Sequence, residues 1–278
     1  MSFTQTAKAL RFQRLHESGT FVIPNPWDMA SARILAGLGF EALATSSAAS
    51  AMAIGLKDGE LSREQALAHA RTIADAVDLP VSADLENGFG DSPEDVAETV
   101  RGAAAAGLAG CTIEDAAREG AAPLYDFSLA VERIAAGAEA ARSLPFPFML
   151  TARAHSFLFA NPNLDETIQR LQAFEKAGAA VLFAPGLPTL EAVRTVCAAV
   201  SKPFNFMAGI PRKSFSVPEL AAAGVRRISL ATSLYRAAMT GLVDAARAVK
   251  EHGDFGYIDR SAATGDLLKL MSRGRTEA

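Results

Sequence analysis

Short apolar runs of β-type composition recur roughly every 20–35 residues, and stretches with helical spacing of apolar positions lie between them. The runs begin at Phe21, Ala42, Val81, Cys111, Phe148, Ala180, Phe204 and Arg227. Several follow a glycine or proline stop, as at Gly39, Pro80 and Pro203.

The intervening stretches carry helix punctuation. Ser92-Pro93 followed by Glu94 and Asp95 predicts an N-cap, a first-turn proline and first-turn acids. The helix then runs on through Ala97 to Ala106, and Gly107 stops it. Ser62 with Gln65 resembles a capping box ahead of a helix over Ala66 to Val77. Gly178 closes a helix over Leu164 to Ala177, and Gly224 closes one that starts near Val217. Eight β–α units predict a (β/α)₈ TIM barrel, a fold of about 250 residues. The rival is an open doubly wound sheet, but no Gly-x-Gly-x-x-Gly follows the first strand. No linker divides the chain. The expectation is one domain over 1–278, with the barrel at about 20–250 and a helical tail at about 251–278. That tail, with a helix at about Ser261 to Met271, would cap its own barrel or reach onto another subunit.

Composition narrows the class. Half of the 278 residues are hydrophobic and the net charge is −4, so no basic field invites nucleic acid. No apolar run approaches the roughly 18 residues of a membrane span, and the start lacks the pattern of a signal peptide. Two cysteines, Cys111 and Cys197, fit a reducing, cytoplasmic setting better than a disulfide framework.

Barrel chemistry sits at the C-terminal ends of the strands. There the sequence places Ser46 and Ser47, then Asp84 and Glu86, then Glu114 and Asp115, then Arg153 and His155, with Asn205 on the seventh strand. Asp84 and Glu86 are two apart, which in an extended strand puts them on one face. Carboxylates converging on a rim without a His/Cys cluster predict a hard cation, Mg²⁺ or else Mn²⁺. Helix capping is the plainer use of any one acid. Arg153 ends an apolar run, and its fork suits a carboxylate or phosphate; an ion pair with Glu114 or Asp115 is the structural alternative. Residues 48–60 read as a long small-residue loop, a lid or site candidate that carries Asp58.

Four stretches resemble the isocitrate lyase / phosphoenolpyruvate mutase superfamily: Pro24 to Arg33, Thr45 to Ser47 with Gly55 to Gly59, Asp84 to Gly90, and Gly107 to Asp115. The resemblance spans Pro24 to about Val249. It implies a TIM barrel, usually a homotetramer whose last helix swaps between subunits. It also implies Mg²⁺ and a small oxo or hydroxy carboxylic acid substrate. By position, Asp84 looks like the direct metal ligand, and Asp58, Glu86 and Glu114 would hold its waters. Ser46, Ser47 and the Ala48 amide would bind the substrate's carboxylate and oxo group, and Arg153 its other side.

The departures are equally informative. Isocitrate and methylisocitrate lyases carry a Lys-Lys/Arg-Cys-Gly-His loop after the Glu-Asp pair. Residues 116–126 here contain no Cys, His or Lys, and Cys111 precedes the pair. The Lys and Asn-Ser of the phosphonopyruvate branch are missing as well. An efficient isocitrate lyase is therefore not expected. Ala154 and His155 stand where the family has threonine and aspartate after the arginine, and His155 or Tyr125 is the candidate replacement acid, an exposed loop histidine being the plainer reading of His155. The expectation is a Mg²⁺-dependent lyase that cleaves a C–C bond in a small 2-oxo or 2-hydroxy (di)carboxylic acid through an enolate-like intermediate, with Arg153, Glu114 and His155 acting on it. Phosphorus–carbon chemistry and a catalytically silent oxo-acid sensor are the alternatives. A Schiff-base aldolase lacks a strand-end lysine.

Overall fold

Eight short parallel strands carry the molecule's central layer in the computed structural model, which describes residues 4–117, 123–159 and 162–273. In chain order the elements are α1 (Gln5–Leu15), β1 (Phe21–Ile23), α2 (Met29–Gly37), β2 (Leu43–Ala44), α3 (Ser47–Ala53) and α4 (Arg63–Ala76). Then follow β3 (Val81–Asp84), α5 (Pro93–Ala105), β4 (Gly110–Glu114), α6 (Phe127–Arg142), β5 (Met149–Arg153) and α7 (Leu164–Ala177). The last are β6 (Val181–Phe183), α8 (Leu190–Ala199), β7 (Phe204–Met207), α9 (Val217–Ala222), β8 (Arg227–Ser229), α10 (Ser233–Arg247) and α11 (Thr264–Arg273).

Strand order is β1-β8-β7-β6-β5-β4-β3-β2, all parallel. At the remaining seam the Ala44 N–H donates to the Pro24 carbonyl at 3.0 Å. The Asn25 side chain bridges the same seam, donating to the Thr45 carbonyl and accepting from the Leu230 N–H. The sheet thus curls into a nearly closed barrel, which overturns the open doubly wound alternative.

Local signals place the helices as expected. Ser62 and Ser92 both form capping boxes, with Gln65 and Asp95. Gly178 ends α7 at φ 107°, where a β-carbon would be strained. One element departs from the pattern. The segment read as a loop from Ala48 begins as α3, capped by Ser46, because small residues after a serine cap close a helical turn without steric cost.

The N-terminal end of the barrel is plugged by α1. Ala9 and Phe12 pack with Phe21, Ile23, Ala42, Met149 and Val181, mostly from the first residues of strands. The tail helix α11 lies against α2 so closely that a β-carbon on Gly37 would sit 1.9 Å from the Leu270 carbonyl oxygen. By contrast α10 buries none of its residues, leaving Leu242 and Val243 exposed. Among the described residues no helix is long and apolar enough to cross a membrane.

Candidate active site

The strands' C-terminal ends open into a small cavity of about 50 Å³. Of the residues singled out in the sequence, Ser46, Asp84, Arg153 and Asn205 line it. Asp84 is the last residue of β3, so it points inward at the rim. Its Oδ2 accepts from the Ser47 hydroxyl at 3.3 Å and the Ser47 N–H at 3.4 Å. The Ser47 amide is free to do so because the first turn of a helix has no internal acceptors.

Arg153, in register with Glu114 across β4 and β5, sits beside two acids. Its Nη1 lies 3.0 Å from Glu114 Oε2 and 3.6 Å from Asp84 Oδ2. The guanidinium also lies over the Phe183 ring, and its Nε is buried without a partner. Burial pushes the Asp84 carboxyl up; Arg153 opposes this, while Glu114 and Asp58 add to it. Arg153 thus faces two carboxylates, and Asp58 adds negative charge from the exposed loop. Among the described residues no three acid, histidine or cysteine groups converge as an all-protein metal cage. Mg²⁺ does not need one, since it keeps several waters and takes one or two carboxylates directly. The donor set fits such an ion.

Several expected residues are placed differently. Glu86 does not continue the strand: it takes φ 49°, so the alternation that would align it with Asp84 stops at Leu85. Phe89 is also left-handed at φ 60°. Asp115 turns away. Its Oδ1 accepts the His155 N–H at 2.8 Å and its Oδ2 pairs with Arg170 at 3.3 Å. The His155 ring sits behind Glu114, Nδ1 lying 3.2 Å from Oε2 but off hydrogen-bond geometry, and packs on Phe159. Asp58 is exposed on the loop after α3.

Tyr125 does not serve as an available acid. Its hydroxyl donates to Asp91 at 2.6 Å and accepts from Asn87 at 2.8 Å, and burial with the Asp91 bond pushes it up to about 12. No lysine among the described residues lines the cavity, and Cys111 is fully buried with its thiol pushed up by desolvation. Within the departing loop, residues 118–122 lie outside the described residues.

Sequence reading missed Arg227, which lines the cavity from the first position of β8. Its Nε donates to Asn205 Oδ1 at 2.8 Å and its Nη2 to Thr151 Oγ1 at 3.0 Å. The available signal was strand alternation. Arg226 and Arg227 are neighbours, so one faces out, where Arg226 bonds the Gly19 carbonyl, and the other faces in.

A family model described as phosphoenolpyruvate phosphomutase matches residues 12–250. The chain belongs to that family. A crystal structure of 2,3-dimethylmalate lyase, described as a PEP mutase/isocitrate lyase superfamily member, superposes with a TM-score of 0.86 at 27% identity, covering 97% of this chain and 95% of that one. A Burkholderia cenocepacia J2315 structure, assigned provisionally as a lyase/mutase, superposes at 0.94 with 45% identity, over 96% of this chain and 97% of its own. The oxaloacetate decarboxylase of Bradyrhizobium diazoefficiens is 32% identical over 260 residues, 91% of this chain and 88% of that protein. The chain is an enzyme of the lyase and mutase kind that makes up this superfamily.

Proposed function

We propose that this chain is a Mg²⁺-dependent lyase that cleaves a C–C bond in a small 2-oxo or 2-hydroxy (di)carboxylic acid, and that it is a poor isocitrate lyase. The observation that carries this reading is the pairing of Asp84 with Arg153, 3.6 Å apart in one small rim cavity. The oxaloacetate decarboxylase and dimethylmalate lyase among its relatives support carbon–carbon chemistry.

In this reading Asp84 would hold the metal, with Asp58, Glu86 and Glu114 as the carboxylates that would support it. Once bound, the ion supplies Lewis-acid stabilisation of the oxygen charge that develops as the bond breaks. Arg153 releases its contacts to Asp84 and Glu114 in part and takes the substrate carboxylate, its unpartnered Nε giving a second donor. The Ser46 hydroxyl and the Ser47 and Ala48 amides at the first turn of α3 hold the carboxylate and oxo oxygens with fixed dipoles. Asn205 offers its second amide hydrogen from the far wall. Glu114, with His155 behind it, is the proton acceptor nearest Arg153. Reactions that release a stabilised fragment need least from this set, which matches the missing cysteine.

The test is an assay of purified protein with Mg²⁺ against a panel of 2-oxo and 2-hydroxy acids, reading CO₂, pyruvate and glyoxylate. Release from at least one acid, abolished by chelator, supports the reading; release from none overturns it. A second reading, phosphorus–carbon chemistry on phosphonopyruvate or phosphoenolpyruvate, is favoured by the description of the family model. Phosphorus NMR distinguishes it by a mutase product or free phosphate. We also read the protein as a cytoplasmic homo-oligomer, tetramer or dimer, with helix exchange between subunits. The unburied apolar side chains of α10 and Leu268 of α11 support the oligomer, while α11 lies on α2 of its own chain here. A monomer by light scattering would refute it.

A further inference from the structure

The centre of a TIM barrel is ordinarily filled with branched apolar side chains. Here the layer below the rim is polar. Ser82, Thr112, Thr151 and Asn205 point inward at that level, and the guanidinium of Arg227 lies among them. Arg227 is 4% exposed. Both of its hydrogen bonds go to neutral acceptors, Asn205 Oδ1 and Thr151 Oγ1, and its Nη1 is buried without a partner. Among the described residues no carboxylate forms an ion pair with it. The titratable group below it, His16 of α1, is held neutral, lowered to about 3 by burial and by Arg227 itself. A cation stripped of water without a counter-ion is costly, by several kcal/mol. A molecule keeps such a group where an anion arrives to meet it.

The position defines the anion. Arg227 reaches Thr151, two residues before Arg153 on β5. Two residues of strand correspond to roughly 7 Å of depth. The cavity therefore has a cation at its mouth, already committed to the Asp84 and Glu114 side, and a second at its floor without any acid beside it. We propose that Arg227 is a floor anchor for a second anionic group of the substrate, the residue through which this site discriminates dianionic acids from monocarboxylates. This rests on the reading that the rim cavity binds a small oxo or hydroxy acid, and it narrows the substrate class within that reading. A distal carboxylate or a phosphonate would satisfy the same cation.

The experiment uses matched probes with the full-length protein and Mg²⁺. Malate and oxaloacetate are compared by calorimetry with 2-hydroxybutyrate and 2-oxobutyrate, in which a methyl group replaces the distal carboxylate. Phosphonopyruvate is the third arm. The wild-type protein is expected to prefer the acids with a second anion by on the order of 100-fold, as removing one member of a desolvated charge pair does. Arg227→Gln is expected to bring that preference to within about 3-fold, and Arg227→Lys to restore part of it. Tighter binding of phosphonopyruvate than of malate would identify the second anion as a phosphonate. An undiminished preference in Arg227→Gln, or none in the wild type, overturns the inference and leaves the acid-binding reading standing. No binding of any acid overturns both. Should Arg227→Gln fail to fold, a crystal of the wild-type protein soaked with malate decides: a carboxylate on Arg227 Nη1 supports the inference, and a malate lying wholly at the rim overturns it.

Discussion

Two polar clusters meet at the barrel's mouth, and they are built on opposite terms. Behind the β3 and β4 ends, every strong group is satisfied. Asp115 pairs with Arg170, Arg170 also donates to the Tyr125 carbonyl at 3.1 Å, and the Tyr125 hydroxyl joins Asn87 to Asp91. Arg133 completes the group by donating to the carbonyls of Asn87 and Gly90 and by lying over the Tyr125 ring. Inside the cavity the reverse holds. Asp84 has long contacts to Ser47, and Arg153 Nε and Arg227 Nη1 have no partner. Both clusters hold carboxylates and arginines. The difference teaches that satisfied charge builds the frame of a site, whereas unmet charge is what a ligand can use.

The largest expected effect falls on the cavity. Asp84→Asn should lower Mg²⁺-dependent turnover of whichever acid the panel identifies by about 10³-fold or more, with unfolding stability nearly unchanged. Steady-state kinetics with a denaturant titration checks both halves. A variant that loses stability and keeps its rate per folded molecule would reverse the comparison.

Arg170→Met should do the opposite. It strands Asp115, 3% exposed, and should cost about 3 kcal/mol in urea unfolding. The rate per folded molecule should stay within about 3-fold, an expectation from the absence of Arg170 among the cavity's walls.

The floor offers a pH test. His16 titrates at about 3 when folded instead of 6.5, because burial and Arg227 disfavour its charge. Its contribution to stability is present above 6.5 and is lost as pH falls from there toward 3, at up to about 1.4 kcal/mol per pH unit. His16→Gln should flatten the acid limb of the stability profile over that window. An unchanged limb would mean that the floor beneath Arg227 is wet.

Tyr125→Phe should have the smallest effect, about 1 kcal/mol of stability from its two hydrogen bonds, with activity retained. A large rate loss would return the tyrosine to the list of proton donors.

The frame was more legible in the sequence than the cavity, for a physical reason. Caps and stops such as Ser92, Ser62 and Gly178 act within one turn, so neighbours in sequence suffice to read them. Strand-end counting likewise brought Ser46, Asp84 and Arg153 to one cavity. Three features did not show in the local pattern. Tyr125 looked free until Asn87 and Asp91, 38 and 34 residues earlier, closed on its hydroxyl. Glu86 looked aligned with Asp84 until its left-handed backbone turned it out of the strand pattern. Arg227 read only as the start of the eighth strand until the barrel closed around it.

The most direct measurement is a crystal structure of the protein soaked with Mg²⁺ and pyruvate. The account predicts the ion on Asp84 and the pyruvate carboxylate between Arg153 and the first turn of α3. An ion absent from Asp84, or a pyruvate bound outside the cavity that Asp84 and Arg153 share, would contradict it.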